Sequence, residues 1–262
     1  MGQLIKLTGI VLSAGNVGEY DKRVVILTKE RGKITAFARG ARKMGSPFLA
    51  ACQSFAYGSF TVFSGKNYNI NAVEIEEYFP ELKEDMNKLY RGLYFCEMAD
   101  YFTMEGSDEL AMMQLLYVTL AALRKGKVED ELIQIVYEIK MLAYFGLMME
   151  TSCCASCGQR KTEESEVTSF LTHFCSAKGG VVCESCAGQL PGTFPILEST
   201  LYTLQYILSQ PVTRLYHFQV TPDVLRELKR ISIDYQRMHV NHSFKSLTFI
   251  DFMGSPILKE KK

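Results

Sequence analysis

Residues 24–43 read VVILTKERGKITAFARGARK. They contain two apolar, β-branched segments that are joined by a short charged turn, and a basic turn follows the second segment. Segments of this kind, bounded by turn residues, are typical of β-strands. The first 77 residues contain three more, so the predicted strands are Leu4–Leu12, Val24–Thr28, Ile34–Ala38, Phe55–Phe63 and Tyr68–Ile75. No helix long enough for a parallel crossover separates them, which predicts a small closed antiparallel β-barrel over residues 1–79.

The turn after the third predicted strand carries Arg39, Arg42 and Lys43 and has no acidic neighbour in the sequence. A turn with one sign of charge is self-repelling without a ligand, so we interpret it as a binding site for a polyanion. The alternative is a solvated charged face. Three further cations nearby in the sequence complete the predicted DNA-binding set, namely Lys22, Arg23 and Lys33.

Aromatic residues are interleaved with these cations. In single-strand nucleic-acid binding, a basic groove follows the phosphates and rings stack on the bases. The candidate rings are Phe37, Tyr57, Phe60 and Tyr68. The alternative for each ring is a place in the core of the barrel.

From Pro80 the pattern changes to helical periods. Apolar residues recur at spacings of three or four over 82–96, Leu110–Leu123, Leu132–Phe145, Glu198–Leu208 and Val224–Met238. Thr221 is the predicted cap of the last helix, with Pro222 at its first position. The sequence therefore predicts an α+β protein whose second domain, residues 80–262, is mostly α-helical.

Two C-x-x-C pairs, Cys154/Cys157 and Cys183/Cys186, are separated by 25 residues within a Cys-, Ser-, Thr- and Gly-rich insertion at about 151–190. Four thiolates close the tetrahedral shell of one Zn²⁺, which predicts a structural zinc knuckle rather than a catalytic metal. Two alternatives stay open: Cys153 replaces Cys154 as a ligand, or one pair is a redox dithiol.

The chain of 262 residues has no net charge, which excludes a uniformly basic, histone-like binder. The charges are nevertheless uneven. Residues 1–73 hold 10 basic and 3 acidic side chains, residues 74–190 hold 10 and 20, and residues 191–262 hold 9 and 6. The chain therefore has a cationic N-terminal barrel, an acidic middle and a mildly basic end.

Several classes of protein lack support in the sequence. The N-terminus shows no secretory signal, and Leu110–Leu123 is shorter than the roughly 20 residues of a membrane span, so we expect a cytoplasmic protein without a membrane partner. No G-x-S-x-G, H-E-x-x-H or G-x-G-x-x-G motif occurs, and we expect no enzymatic activity.

Several of these segments together resemble the bacterial recombination mediator family RecO. The resemblance is carried by Thr8–Leu12, Leu27–Ile34, the ARGARK stretch Ala38–Lys43, and the four cysteines with Gly179-Gly180. It implies an N-terminal oligonucleotide-binding (OB) fold, a mostly helical remainder and an inserted zinc knuckle.

The resemblance also implies a function. RecO-like proteins bind single- and double-stranded DNA, anneal complementary strands, join RecR, contact the acidic tail of single-strand binding protein and help place RecA on coated strands. We therefore expect a nucleoid-associated protein. Lys229, Arg230 and Arg237 are further candidates for DNA contact, although a solvated helix face is the favoured interpretation of these three residues. The alternatives are a zinc-stabilised protein-interaction scaffold without nucleic-acid binding and a zinc-dependent enzyme.

Overall fold

The computed structural model describes residues 2–160 and 170–254, so the middle of the predicted cysteine-rich insertion, residues 161–169, lies outside the described residues. The chain divides into two units. The first comprises Met1–Asp130 and Phe244–Lys262, and the second comprises Glu131–Ser243. This partition differs from the predicted domains 1–79 and 80–262, because the strands and the first long helices pack in one unit.

The N-terminal strands of the first unit form a closed barrel in the order β1-β2-β3-β5-β4. Their bounds are β1 Gln3–Val17, β2 Asp21–Thr28, β3 Gly32–Ala38, β4 Tyr57–Ser64 and β5 Tyr68–Glu77. The expectation of purely antiparallel pairing is wrong at one place, because β3 and β5 pair in parallel. Alternate side chains of β3 point inward, and Ile34, Ala36 and Ala38 are buried in the barrel core.

Most of the remaining described secondary structure is helical. They are α1 Phe48–Ala51, α2 Met86–Phe102, α3 Leu110–Lys125, α4 Asp130–Tyr144, α5 Glu184–Ala187, α6 Glu198–Ser209, α7 Pro222–His239 and α8 Lys245–Gly254. Among the described residues, no helix is both long and apolar enough to cross a membrane.

Helix α8, which the periodicity did not reveal, brings the end of the described chain back to the first unit. Its preceding residue, Phe244, makes edge contacts with Tyr94 and Tyr101 of α2 at centroid distances of 5.4 and 5.9 Å. The backbone N–H of Ser246 donates to the Glu97 carboxylate at 3.0 Å. The first unit is therefore built from two separate stretches of chain.

The second unit contains the predicted helices α6 and α7 and α4 from Glu131 onward. The predicted cap of α7 is confirmed, because Thr221 Oγ1 accepts a hydrogen bond from the N–H of Val224. Lys140 of α4 is buried, and its ammonium group donates to three carbonyls at the end of α6, those of Ile207, Leu208 and Gln210, at 2.7–3.0 Å. The lysine thus supplies donors where a helix terminus lacks them.

The second unit also holds a small sheet that the sequence did not predict. Its strands are β6 Leu171–Cys175, β7 Gly180–Cys183 and β8 Phe194–Pro195, in the order β7-β6-β8. This sheet positions the second pair of cysteines, because Cys183 ends β7 and Cys186 lies in α5.

Candidate nucleic-acid interface and metal centre

The basic turn, residues 39–43, follows β3 and packs against the turn between β1 and β2. The N–H of Arg42 donates to the carbonyl of Tyr20 at 2.9 Å, and the N–H of Gly40 donates to the Asp21 carboxylate at 2.7 Å. Gly40 has a φ of +67°, a conformation that glycine adopts without steric cost. The backbone, rather than the charged side chains, therefore fixes the shape of the basic turn.

The cationic side chains of the basic turn contact a carbonyl and a ring rather than carboxylates. The Arg42 guanidinium donates to the carbonyl of Glu19 at 3.0 Å. The Lys43 ammonium lies 5.5 Å from the centre of the Tyr20 ring. Arg39 is exposed. Within residues 2–160 and 170–254, none of these three cations makes an ion pair.

Lys22 and Arg23 lie on β2, beside the end of β3 from which the basic turn begins. They pair across the ladder with Ala38 and Phe37, the last residues of β3. Arg23 is exposed and donates to Thr35 Oγ1 at 3.4 Å, whereas Lys22 is half-buried and donates to the carbonyl of Cys52 at 3.0 Å. Neither forms an ion pair within the described part of the chain.

Lys33 is not brought together with the other predicted cations. It lies near the start of β3, about 20 Å from Arg39 at roughly 3.3 Å per strand residue. Its ammonium group forms an ion pair with Asp100 of α2 at 2.9 Å. The structure therefore places Lys33 in the packing of the β2–β3 turn on the helices of its own unit.

The C-terminal cations named above are also paired. Lys229 forms an ion pair with Glu131 at 2.5 Å. Arg230 and Arg237 both lie near Asp234, at 3.7 and 3.6 Å. These three cations contrast with those of the basic turn, which form no ion pair in the part of the chain that the structure describes.

The rings named from the sequence have different surroundings. Phe60 is fully buried and belongs to the barrel core. Tyr57 contacts Tyr117 at 4.7 Å, and Tyr68 is half-buried. Phe37 is half-buried on the outside of the barrel. Phe63, two strands away on the same face, is 41% exposed and was missed by sequence reasoning.

The four predicted metal ligands lie together. The Sγ atoms of Cys154, Cys157, Cys183 and Cys186 are all within 4.8 Å of one another. The sulfurs of Cys157 and Cys183 are 3.9 Å apart. Four sulfurs bound to Zn²⁺ at about 2.3 Å lie about 3.8 Å from one another, so the donor set fits this ion in type, number and spacing.

A short backbone ladder brings the two pairs together. The N–H of Val181 donates to the carbonyl of Glu150 at 2.9 Å, and the N–H of Ala155 donates to the carbonyl of Val181 at 2.8 Å. This pairing lays the first C-x-x-C turn along β7. Gly180 lies where β7 comes closest to the backbone of Glu150. A Cβ added at Gly180 would overlap the Glu150 carbonyl oxygen and lie 2.8 Å from the Glu150 backbone nitrogen.

Backbone donors favour the thiolate form of one cysteine of the cluster, Cys154. Burial raises the pKa of Cys154, but N–H groups of Cys157, Cys183 and Ser156 that donate to its sulfur lower that pKa to about 6. Thiolate is the form in which cysteine binds a metal ion. The other cysteines do not all share this shift, because a hydrogen bond with the Cys183 thiol and burial raise the pKa of Cys186 to about 12.

The Glu150 carboxylate fixes the backbone just before the first C-x-x-C turn. It accepts hydrogen bonds from the hydroxyl and N–H of Ser152 at 2.6 and 2.7 Å and from the N–H of Cys153, and these bonds lower its pKa to about 2. Cys153 faces Glu150 and Arg160 and lies outside the four-sulfur cluster. Cys175 is buried and also lies outside the cluster.

Comparison with known proteins covers nearly the whole chain. The family model for the N-terminal part of recombination protein O matches residues 1–79, and the model for its C-terminal part matches residues 83–248. The DNA repair protein RecO of Alkaliphilus metalliredigens is 33% identical over 246 residues, 93% of this chain and 97% of that protein. The protein of the same name from Acetivibrio thermocellus is 30% identical over 247 residues, 94% and 96% of the two chains. This chain belongs to the RecO family.

Proposed function

We propose that this chain is a DNA-binding recombination mediator in DNA repair, which anneals complementary single strands and helps load RecA onto strands coated by single-strand binding protein. The observation that carries the proposal is the basic turn, whose cations form no ion pair within the described residues and so remain available to phosphates. The curated relatives described above bear the name DNA repair protein, which agrees with this role.

Annealing requires that two polyanions approach each other. Cations that bind phosphates displace condensed counterions and lower the repulsion between the strands. This process breaks and forms no covalent bond, and the proposed activity is therefore not enzymatic. Arg39, Arg42 and Lys43 supply the phosphate contacts in this proposal, with Lys22 and Arg23 beside them. Lys33 contributes to packing instead.

The proposal extends to the architecture. We assign the barrel to the OB-fold class, which its five strands and closed order support. Cys154, Cys157, Cys183 and Cys186 hold one Zn²⁺, which closes the fold of the insertion and leaves no position for a substrate. The partners in this proposal are single- and double-stranded DNA, RecR, the acidic tail of single-strand binding protein and, indirectly, RecA. The site of action is the cytoplasm, at the nucleoid.

Removal of the charges of the basic turn tests the DNA-binding step. The variant Arg39→Ala/Arg42→Ala/Lys43→Ala loses three phosphate contacts, so the slope of log affinity for a single-stranded oligonucleotide against log salt should fall by about 2 units, at about 0.7 per contact. A matched control is the triple alanine variant at Lys229, Arg230 and Arg237, which removes the same charge from ion-paired positions. The control should keep the wild-type slope.

An unchanged slope and affinity in the basic-turn variant would contradict the assignment. If the folded wild-type protein binds no oligonucleotide even at low salt, the zinc-stabilised interaction scaffold becomes the better explanation. Fluorescence anisotropy at two or more salt concentrations distinguishes these results.

A further inference from the structure

A row of side chains crosses the outside of the barrel at the level of the basic turn. Strand register pairs Phe37 of β3 with Asn69 of β5, and Asn69 in turn with Phe63 of β4. On the two flanks, Arg23 pairs with Phe37 and Leu4 pairs with Phe63. Residues that pair directly across strands point to the same face of a sheet.

This row faces outward, because the adjacent positions on the same strands face inward. Ala36, Val62 and Ile70 are all buried in the barrel core. Phe63 is 41% exposed and Leu4 is 61% exposed. The barrel thus presents apolar and aromatic side chains to solvent. These side chains cannot pack in the barrel core, because they point away from it.

An open groove of about 360 Å³ lies between the two phenylalanines. Arg39 from the basic turn and Lys66 from the β4–β5 turn line it, together with the side chains of Asn67 and Asn69. The Asp21 carboxylate also lines the groove and accepts the hydrogen bond of the Gly40 N–H. Rings flanked by cations form the combination that binds single strands, since phosphates follow the charges and bases stack on the rings.

We propose that this groove holds unstacked bases of a single strand, with Phe37 and Phe63 as the stacking rings and Arg39 and Lys66 as the phosphate contacts. The inference rests on the proposed function and adds a preference for single strands to it. The two rings stand on strands separated by β5, about 10 Å apart at the usual strand spacing. Two rings that sandwich one base are separated by only about 7 Å, which is less than the distance between these strands. Each ring therefore stacks on its own base.

A duplex cannot use these rings, because its bases remain stacked and paired inside the helix, whereas its phosphates still reach the basic turn. Loss of a ring should therefore weaken the binding of single strands selectively. It should leave the salt dependence unchanged, because no phosphate contact is lost. This pattern differs from that of the basic-turn variant, which lowers the salt slope.

The test compares Phe63→Ala and Phe37→Ala with the wild-type full chain, using an oligothymidylate and a duplex of equal length. Each variant should bind the single strand about 5- to 150-fold more weakly, which is the usual contribution of one stacked base. Duplex affinity should stay within about twofold. Tyr78→Ala is the control, because Tyr78 is similarly exposed, at 39%, but does not line the groove.

Two conservative variants guard against a folding defect. Phe63→Tyr keeps a flat ring and should retain the affinity for single strands, whereas Phe63→Leu keeps apolar bulk without the ring and should lose it. Equal losses for single strand and duplex, or no loss in either alanine variant, would overturn the inference while the proposed function stands. A wild-type protein that binds neither DNA would overturn both.

Discussion

Replacement of Gly180 by alanine tests how the two pairs of cysteines are brought together. A Cβ at this position would overlap the Glu150 carbonyl oxygen and lie 2.8 and 2.9 Å from its backbone nitrogen and carbon. All three atoms belong to the backbone, which cannot rotate away as a flexible side chain can. The chain at Glu150 must therefore move away from β7, and the first C-x-x-C turn moves with it.

The size of the effect follows from the contacts that this movement breaks. Two backbone hydrogen bonds, Val181 N–H to Glu150 and Glu150 N–H to Gly179, hold the segment at 2.9 and 3.0 Å. Each is worth about 1 kcal/mol, and an extra methyl group in a tight contact adds about 1 kcal/mol or more. We expect Gly180→Ala to lose about 2–3 kcal/mol in the free energy of unfolding of the metal-loaded protein. If the loss falls on the metal-bound state alone, it weakens zinc affinity about 30- to 150-fold.

The assay combines urea unfolding of the zinc-loaded protein with competition against a chromophoric chelator. Gly188→Ala is the matched control, because Gly188 lies in the same insertion, has a helical φ of −62° and has open space around an added Cβ. This control should keep the wild-type affinity for zinc. Its free energy of unfolding should rise by up to about 1 kcal/mol, because alanine makes the unfolded chain less flexible. If Gly180→Ala binds zinc and unfolds like the control, the backbone approach of Glu150 to β7 does not assemble the site.

Two further substitutions test buried and capping charges in the second unit. Lys140→Met should lower the free energy of unfolding by about 1–3 kcal/mol, because the carbonyls at the end of α6 lose the ammonium donor. Urea unfolding measures this loss, and Lys178→Met, which replaces an exposed lysine, is the control. Equal stability of the two variants would refute the prediction. Glu150→Gln should be less stable than wild type at pH 7, with a difference that shrinks as the pH falls from 4.5 towards 2. The folded pKa of Glu150 is about 2 against an ordinary 4.5, so its stabilisation is present above pH 4.5 and is lost through this window. Urea unfolding between pH 3 and 7 measures the difference, and a constant value would contradict the capping role of the carboxylate.

Local patterns were sufficient to predict most elements of secondary structure. The alternation and β-branched residues of Ile34–Ala38 place this segment in a strand, and the structure extends it by only two residues, to Gly32. Thr221 and Pro222 start α7 as predicted, because a cap acts on neighbours three residues away. The cysteine spacing likewise predicts the cluster, since each C-x-x-C pair contributes its two sulfurs through one local turn.

Features that depend on contacts between distant segments could not be predicted. The ion pair of Lys33 joins residues 67 positions apart, and nothing in either segment indicates the other. Helix α8 is short, and its position is fixed by the aromatic contacts of Phe244 with α2, more than 140 residues earlier in the chain. Phe63 could have been found, because it lies three positions from the buried Phe60 and so points to the opposite side of the strand.

The return of α8 to α2 makes the N-terminal half of the chain dependent on residues that a ribosome adds only after the whole second unit. A fragment ending at Asp130 would expose the side chains of Tyr94 and Tyr101 on which Phe244 packs. The barrel with its helices is thus completed only after all of Glu131–Ser243 has been synthesised. Premature termination anywhere in the second unit would leave the first unit unfinished as well, and an unfinished first unit would display an apolar surface to the quality-control machinery of the cell.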